Sequence, residues 1–427
     1  MALTGRNSGF EFKYEPVQWN GPEGYIIVVP RGNTEAVKTA KILNGYFERL
    51  YDTELRITND SSNETSKEIL IGATNRKESN HSLKESELAV SLKNGKLVFD
   101  GGHYVTVNSA VERFIRLSPE RGSVAVFSDN TDFVSVKPDG YRYVWGDEFE
   151  GDEINLSKWC FEKRMGGTEN MTVQYTDDVI TIGDGHATLR AIAFSDPDDP
   201  KIEYKVPYSL CTLGTMNFDY GYAEIRAKVP YEIGVWPSFW ATTACNISGR
   251  QNMQLHAEID MFENFGSQEL IVANVHKWYD EMDYNKIYNT GSSKRAHNAI
   301  PWNDERRPKY TCPNPESINS EYHIYAFEKA DKEINFFVDG KKFGSFGITE
   351  TFDLYPDMSV FQDPVFLIMN NHVFPGKEGN SLIKDNLSAL PAEYEIDYCR
   401  LYQKPGIGNL YTDETPAVYP GRKGKNK

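Results

Sequence analysis

The pattern of apolar and polar positions divides the chain into two parts with different predicted secondary structure. In the front part, short apolar runs predict buried strands, and apolar residues at helical spacing follow two of them. The predicted strands cover residues 25–29, 68–72 and 96–100, and the predicted helices cover residues 36–47 and 105–117. Strand alternating with helix is typical of an α/β domain.

The second part, from about residue 141, consists of short runs in which apolar and polar residues alternate. Residues 222–229 and 333–338 are examples, and Gly, Pro, Asn and Asp bound such runs. No long amphipathic helix interrupts them. This pattern predicts an all-β sandwich, so we expect a larger all-β domain preceded by a smaller α/β domain.

The predicted boundaries give five segments. They are an N-terminal extension (1–20), an α/β accessory domain (21–130), a linker (131–140), the all-β domain (141–405) and a C-terminal tail (406–427). We expect the accessory domain to act as a packing or spacer element, with sugar binding as the alternative.

One strand-like run in the second part, HAEIDMFEN, carries three acids. In strict alternation Glu258 and Asp260 share a face, but Glu263, five positions after Glu258, would point the other way. A β-bulge at Met261 and Phe262 would correct this by placing two residues opposite one. We therefore predict that a bulge brings all three carboxylates to one surface.

Such a set of acids fits the cleavage of glycosidic bonds. Retaining hydrolysis needs a carboxylate nucleophile and a carboxylic acid about 5–5.5 Å apart, and crowding of like charges keeps one carboxyl protonated. We assign Glu258 as the nucleophile, Glu263 as the general acid/base, and Asp260 as the hydrogen-bonding partner that tunes Glu258. The alternatives are a solvated acidic strand edge and a cation-binding cluster.

The run EIDMFE resembles the bulged signature of the family 16 glycoside hydrolases, of the laminarinase or endo-β-galactosidase type. Further segments follow in that family's order, at residues 145–151, 156–159, 214–230, 234–240, 334–341 and 395–402. The resemblance implies a two-sheet jelly-roll sandwich with a substrate cleft on its concave face. It also implies endo-acting, retaining hydrolysis of a β-linked polysaccharide, with β-1,3- or mixed-linkage β-1,3/1,4-glucan as the first expected substrate.

Two departures from the family pattern bear on the substrate. Lys329 follows Glu328 where many members have Trp, and His372 and Phe374 stand where small residues are usual. These departures keep open an alternative activity, an endo-β-galactosidase acting on a galactan or a host glycan.

The front domain also resembles, more loosely, the small α/β domain of hexosaminidases and glucuronidases. In those proteins this domain carries no catalysis.

The resemblance also implies which residues contact the sugar. They are Trp236, Trp240, Arg226, His276, Trp278, Asn370 and His372. For Trp240 the alternative is a core position, for Arg226 a solvent-facing stripe, and for His276 a structural role. The long loop at residues 280–322, with Trp302 and Arg307, is expected to overhang one end of the cleft.

We expect no cofactor for catalysis. No zinc-ligand spacing, Gly-rich phosphate loop or Ser nucleophile elbow is present in the sequence. Asp397 resembles the family residue that helps to hold a structural calcium ion, and carboxylate oxygens suit that ion. A surface acid on a closing strand is the alternative.

Composition limits the partners. The formal net charge of −16 argues against nucleic acid and anionic membranes, and no apolar run reaches the roughly 20 residues of a membrane-spanning helix. The five cysteines show no disulfide spacing, and we expect no disulfide. We expect a secreted monomer, its leader removed, that acts on a polysaccharide. A non-catalytic carbohydrate-binding protein is the rival.

Overall fold

The structure is a computed structural model. It describes residues 14–130, 135–162, 171–174, 176–232, 234–243, 256–264, 270–278, 297–299, 307–348, 359–373, 388 and 390–412. The chain forms two compact units, the first comprising residues 1–135, 145–157 and 182–186 and the second the remainder. Within the described residues, no helix is long and apolar enough to cross a membrane.

The first unit combines strands with two long helices. Its elements in chain order are β1 (Glu15–Gln18), β2 (Ile26–Val29), α1 (Thr34–Tyr51), β3 (Ile57–Asn59), β4 (Glu68–Ile71), β5 (Leu88–Lys93), β6 (Lys96–Gly101), α2 (Tyr104–Leu117) and β7 (Ser123–Asp129). The described strands form one sheet in the order β1-β7-β5-β6-β4-β2-β3. The strands and helices predicted from the apolar pattern are confirmed at β2, β4, β6, α1 and α2.

Helix α1 shows why the sequence folds locally in this way. The side chain of Asn33 accepts a hydrogen bond from the backbone N–H of Ala36, which satisfies one of the free donors of the first turn. Ala36, Ala40, Leu43 and Phe47 recur at intervals of three and four and are buried in the core. The helix therefore begins at a polar cap and packs through one apolar stripe.

The segment 145–157 belongs to the first unit, whereas the sequence assigns it to the all-β domain. Arg113 of α2 explains this placement. Its Nη1 lies 3.1 Å from Oδ2 of Asp129, and its other guanidinium nitrogens donate to Glu150. Arg116 also lies 3.4 Å from Glu150. The segment that the sequence predicts as the start of the all-β domain is therefore bound by ion pairs to helix α2 of the first unit.

The second part of the chain is built from strands. The first of these are β8 (Arg142–Asp147), β9 (Cys160–Glu162), β10 (Met171–Gln174), β11 (Ile180–Gly183), β12 (His186–Ala193), β13 (Tyr204–Pro207), β14 (Ser209–Cys211), β15 (Met216–Phe218), β16 (Gly221–Lys228), β17 (Val235–Thr243), β18 (His256–Glu263), β19 (Leu270–Val272) and β20 (Asn274–Trp278). The later elements are β21 (His297–Ala299), β22 (Lys309–Thr311), the short helix α3 (Ser317–Ser320), β23 (His323–Lys329), β24 (Glu333–Val338), β25 (Lys341–Gly347), a 3-10 turn (Ser359–Gln362), β26 (Val365–Val373), β27 (Ala392–Gln403) and β28 (Leu410–Thr412).

Two large sheets carry most of these strands. The acid-bearing sheet has the order β21-β20-β18-β17-β26-β14-β9, so β18 with its three acids lies between β20 and β17. The opposite sheet follows the path β10-β13-β12-β27-β16-β23-β24-β25. The predicted all-β jelly-roll sandwich is confirmed.

Aromatic side chains pack the two sheets against each other. Phe239 of β17 lies 5.8 Å, centroid to centroid, from Phe327 of β23, and Phe262 of β18 lies 5.1 Å from Tyr325. Phe262 also contacts Tyr394 of β27 at 6.1 Å. These rings fill the interior, because large apolar side chains gain most from removal from water. The alternate residues of β17 and β18 must therefore point away from the opposite sheet.

Candidate active site

The predicted bulge in β18 is confirmed by its pairing with β17. Phe262 pairs with Phe239, but the next residue of β17, Trp240, pairs with Asp260, so Met261 is the extra residue. Glu258 and Glu263 pair with Thr242 and Ser238, which alternate with core residues of β17. The bulge therefore turns Glu258, Asp260 and Glu263 to the same side, which we call the acid face.

The acids are held next to an imidazole from β20. Nε2 of His276 lies 3.0 Å from Oδ2 of Asp260 and 3.9 Å from Oε1 of Glu258. Donor atoms of these three residues all lie within 4.8 Å of one another, and Asp260 is buried. His276 pairs with Glu258 in the β18–β20 ladder, so the sheet register brings the groups together. Two carboxylates and an imidazole could also hold a divalent cation, so the cation-site alternative stays open.

Burial raises the affinity of two of the acids for protons. Desolvation raises the pKa of Asp260 to about 8, and the charge of Arg307 opposes this shift. Desolvation also raises the pKa of Glu263 to about 7, and the negative charge that Asp260 carries when it is ionised adds to the effect. His276, Arg307 and a hydrogen bond from Trp236 act in the opposite direction. At neutral pH these two groups are therefore protonated to a large extent, which general acid catalysis requires.

The two tryptophans of β17 lie on the acid face. Trp236 and Trp240 are half-buried, and the indole of Trp236 lies near enough to Glu263 to lower its pKa. Nε1 of Trp240 donates to Oδ1 of Asn370 at 2.8 Å, and its ring packs beside Cys211, Phe366 and Ile368. Trp240 is thus not a core residue between the sheets. Both rings expose an edge or face to a ligand on this side, although sugar contact stays a prediction.

His372 also lies on the acid face, because it pairs with Trp236 in the β17–β26 ladder. It is buried, and burial lowers its pKa to about 4 despite a hydrogen bond to the carbonyl of Pro207. At neutral pH its imidazole is therefore uncharged. Lys329, the other departure, lies in the opposite sheet, where its Nζ donates to the carbonyl of Asp219 and burial lowers its pKa to about 7. Lys329 is remote from the acid face.

Some residues that the sequence predicts to contact the sugar lie wholly or partly outside the residues that the structure describes. The backbone of Trp278 continues β20, but its side chain is outside the described residues. Phe374 and Trp302 lie outside the described residues altogether. Their expected contacts with sugar stay predictions.

Arg226 and Asp397 have a different arrangement from the one the resemblance implies. Arg226 lies on β16 in the opposite sheet, and its Nη1 donates to Oδ2 of Asp397 at 2.6 Å. Both side chains are buried, and the guanidinium lies 4.2 Å from the ring centre of Tyr322. A bulge in β27 at Asp397, next to Arg226, brings the carboxylate to this position. Arg226 is therefore a structural partner on the opposite sheet, which argues against substrate contact.

The same geometry does not fit the expected calcium ion. Asp397 is the carboxylate that the resemblance offers to the ion, but a buried guanidinium already neutralises it at hydrogen-bond distance. A divalent cation there would face the positive charge of Arg226 in a poorly screened environment. Asp397 therefore has the contacts of an ion-pair partner and not those of a calcium ligand.

Two residues beside the acids were given no role at the acids from the sequence, although Arg307 was expected in the loop that overhangs the cleft. Nδ2 of Asn274 lies 3.1 Å from Nε2 of His276, and the period of two in β20 could have identified it, since it precedes His276 by two positions. Arg307 acts on the pKa values of both Asp260 and Glu263. No local pattern of the sequence connects it to β18.

The comparisons with known proteins give one family and several relatives. Residues 144–404 match the family model described as beta-porphyranase A–D, GH16 domain. A glucan endo-1,3-beta-glucosidase A1 of Niallia circulans is 26% identical over 284 residues, which cover 62% of this chain and 38% of that protein. A keratan-sulfate endo-1,4-beta-galactosidase of Sphingobacterium multivorum is 21% identical over 297 residues, covering 67% of this chain and 60% of that protein.

Among solved structures, the laminarinase of Rhodothermus marinus aligns with a TM-score of 0.44 and 25% identity, covering 62% of this chain and 97% of that chain. The two curated relatives named above are longer than the matched region, and this chain spans 38% and 60% of their lengths. The family match lies within the second part of the chain and includes β18 with its three acids.

Proposed function

Since the chain belongs to the glycoside hydrolases of the group described as beta-porphyranase A–D, GH16 domain, we propose that it cleaves internal β-glycosidic bonds of a polysaccharide with retention of configuration. The observation that carries this proposal is the bulge in β18, which brings Glu258, Asp260 and Glu263 to one face. Half-buried tryptophans beside these acids suit the apolar face of a sugar ring.

In the proposed reaction Glu258 attacks the anomeric carbon while Glu263 protonates the leaving oxygen. Glu263 then deprotonates a water molecule, which releases the sugar from Glu258. The raised pKa of Glu263, about 7, supports its role as acid, because a carboxyl of ordinary pKa would be ionised at neutral pH.

Asp260 supports the nucleophile in this scheme. It shares the acid face with Glu258, and both carboxylates contact the same imidazole nitrogen of His276. Its raised pKa keeps it protonated near neutral pH, so it can donate a hydrogen bond to a neighbouring carboxylate. This avoids the cost of two adjacent buried negative charges.

The first test is the activity of Glu258→Gln on a panel of polysaccharides. We expect the wild type to release short oligosaccharides whose first-formed anomer is β, and Glu258→Gln to lower kcat by at least about a thousandfold. Glu263→Gln should lower kcat by about a hundredfold to ten-thousandfold. Product chromatography and time-resolved NMR of the anomeric protons measure both quantities.

Glu393→Gln is the matched control, because Glu393 is a half-exposed acid that pairs with Arg190 in the opposite sheet. It should retain wild-type turnover. Wild-type turnover by Glu258→Gln would remove the assignment of the nucleophile. Tight binding of a polymer by the wild type without any product would instead favour the rival, a carbohydrate-binding protein.

Two substrate classes have support and belong in the panel. A β-1,3- or mixed-linkage glucan is supported by the name of the Niallia circulans relative. A galactan or host glycan is supported by the name of the matching family and by that of the keratan-sulfate galactosidase. Laminarin, mixed-linkage glucan, agarose, porphyran, keratan sulfate and mucin cover both classes, and the cleaved polymer identifies the substrate.

The proposal also covers the cellular location and the oligomeric state of the protein. A polysaccharide too large to cross a membrane must be met outside the cell, so we place the protein there, as a monomer. Size-exclusion chromatography with light scattering tests the monomer, and fractionation of the native cells tests the location.

A further inference from the structure

Two cysteines lie side by side at the edge of the acid-bearing sheet. Cys160 of β9 is the register partner of Cys211 of β14, and their Sγ atoms are 3.1 Å apart. Both are present as thiols. The sequence spacing alone predicts no disulfide, so this contact arises from the fold.

The backbone geometry suits a bond between the two sulfur atoms. Residues directly opposite each other in an antiparallel ladder have Cα atoms about 4.5–5.5 Å apart, a separation within the usual range of disulfides, about 4.4–6.8 Å. Their Cβ atoms also project from the same face of the sheet. Oxidation therefore needs rotation of two side chains and no change of strand register.

The surroundings distinguish this pair of cysteines from the other cysteines that the structure describes. Cys160 is partly exposed, whereas Cys211 is fully buried beside it. Cys312 and Cys399 are both buried, Cys312 near Ser317 and Cys399 within β27 of the opposite sheet. Among the cysteines that the structure describes, the pair at β9 and β14 has the sulfur atoms in contact.

The pair also lies at the edge of the acid-bearing sheet, where a covalent bond would stabilise the attachment of a short strand. Strand β9 has three residues, ends the path of the acid-bearing sheet and pairs with β14. Cys211 packs against Ile368, and Trp240 and Cys160 pack against the same cluster on the acid face. A short edge strand gains much from a tether, because few backbone hydrogen bonds hold it.

We propose that Cys160 and Cys211 are a redox-active dithiol that a small-molecule disulfide converts into a cross-strand disulfide, which fixes β9 to β14 beside Trp240. The proposal goes beyond the hydrolytic function and does not depend on it. It assigns a covalent modification site to this edge of the sheet.

The reaction balances with oxidised glutathione as the oxidant. The Cys160 thiol loses its proton, its sulfur bonds to one glutathione sulfur, and the other glutathione leaves as a thiolate. The Cys211 thiolate then attacks the Cys160 sulfur and displaces the second glutathione. Two electrons pass from the cysteine pair to the glutathione disulfide, and the released thiolates take up the two protons as reduced glutathione.

The test uses the full chain, fully reduced and then incubated with oxidised glutathione. We expect the intact mass to fall by two hydrogen atoms, and an alkylating reagent under denaturing conditions to label three cysteines, which is the five of the sequence less the two of the pair. Peptide mapping should join Cys160 to Cys211. The oxidised protein should also melt several degrees above the reduced protein.

Two variants separate this site from the other thiols. Cys211→Ala should abolish the loss of two hydrogen atoms and the difference in melting temperature, and it should leave Cys160 as a glutathione adduct, whereas Cys312→Ser should behave as the wild type. In the wild type, a persistent glutathione adduct without a cross-link, a link to another cysteine, or an unchanged mass would overturn the proposal. A Cys160–Cys211 bond that leaves the melting temperature unchanged would overturn the claim that it fixes β9.

Discussion

At the scale of single residues, the proton on Glu263 is the quantity on which the proposed chemistry depends. Burial and the nearby Asp260 raise its pKa, while Arg307 lowers it. These opposing effects give a pKa of about 7, which is higher than that of an ordinary carboxylic acid but low enough for the group to ionise near neutral pH. Such a group can give up its proton in one step and take one in the next.

Arg307→Gln should therefore change the pH dependence of hydrolysis. The guanidinium stabilises the Glu263 carboxylate, so removing its charge raises the pKa of Glu263. The reactive form is the protonated one, hence kcat/KM falls as pH rises through this pKa. We expect the alkaline limb of the kcat/KM profile to move to higher pH by a measurable fraction of a unit.

Lys309→Gln is the matched control, because it removes the same charge from an exposed side chain two positions away. Its alkaline limb should coincide with that of the wild type at moderate salt, where charges on the surface are screened. An unchanged limb in Arg307→Gln, with normal folding, would contradict the electrostatic role of Arg307.

At the scale of elements, the bulge in β18 decides which side chains share the acid face. Met261 is the extra residue, and Ile259 is a core residue between Glu258 and Asp260. Removing a residue from a strand moves all side chains on one side of the gap to the opposite face. The outcome therefore depends on which residue is removed.

Deletion of Met261 should keep all three acids on one face, because Glu263 then follows Glu258 by an even number of positions. Deletion of Ile259 should turn Glu258 into the core. We expect the first variant to lose roughly a hundredfold in kcat, since the acids shift by about 1 Å, and the second to show no turnover. Product release, with circular dichroism as the check on folding, measures the difference; equal and complete loss in two folded variants would contradict this account.

The pairing of β16 with β27 leads to a second prediction at this scale. Because Arg226 neutralises Asp397, removing calcium with a chelator should leave the melting temperature unchanged. Arg226→Met should lower the free energy of unfolding by about 3–5 kcal/mol, since it removes the cation that neutralises a buried carboxylate. Adding Asp397→Asn should recover part of this loss. Urea denaturation compares both variants with the wild type.

Lys228→Met serves as the control for Arg226→Met. Lys228 lies on the same strand and pairs with Glu395 at 2.8 Å, but both side chains are partly exposed. It should cost at most about 1 kcal/mol. A strong dependence of stability on calcium that Asp397→Asn abolishes would contradict the ion-pair interpretation of Asp397.

At the scale of the whole molecule, the division into units does not follow the division of sequence patterns. Residues 145–157 pack with the front unit although they lie behind the linker. Arg113 and Arg116 of α2 hold this segment through ion pairs with Glu150, so the front unit is incomplete without it. Its stability should therefore depend on residues that a boundary drawn at position 141 would separate from it.

Arg113→Met should lower the free energy of unfolding by about 3–5 kcal/mol, because it leaves Asp129 and Glu150 as buried acids without their main cation. Arg116→Met should have a smaller effect, since Arg116 is more exposed and lies 3.4 Å from Glu150. Urea unfolding followed by fluorescence and far-ultraviolet circular dichroism compares the two. Equal losses of unfolding free energy in the two variants would show that burial does not make the ion pairs of Arg113 more stabilising than that of Arg116.

Local patterns of the sequence were sufficient for several features. The periods of two and of about 3.6 predict β2, β4, β6, α1 and α2, because alternation and helical spacing are properties of neighbouring residues. The odd spacing between Glu258 and Glu263 predicts the bulge for the same reason. The identity of the acids, and hence the proposed chemistry, is also present in one short run.

Tertiary structure alone decided the long-range partners. Arg226 meets Asp397 across 171 positions, Cys160 meets Cys211 across 51, and Arg113 meets Glu150 across 37. Each contact depends on which strands or helices become neighbours and in which register, and local spacing carries no information about either. The sequence by itself determined the elements and the acids of this protein, whereas the packing of distant segments decided which charges are neutralised, which thiols touch and how strongly each acid holds its proton.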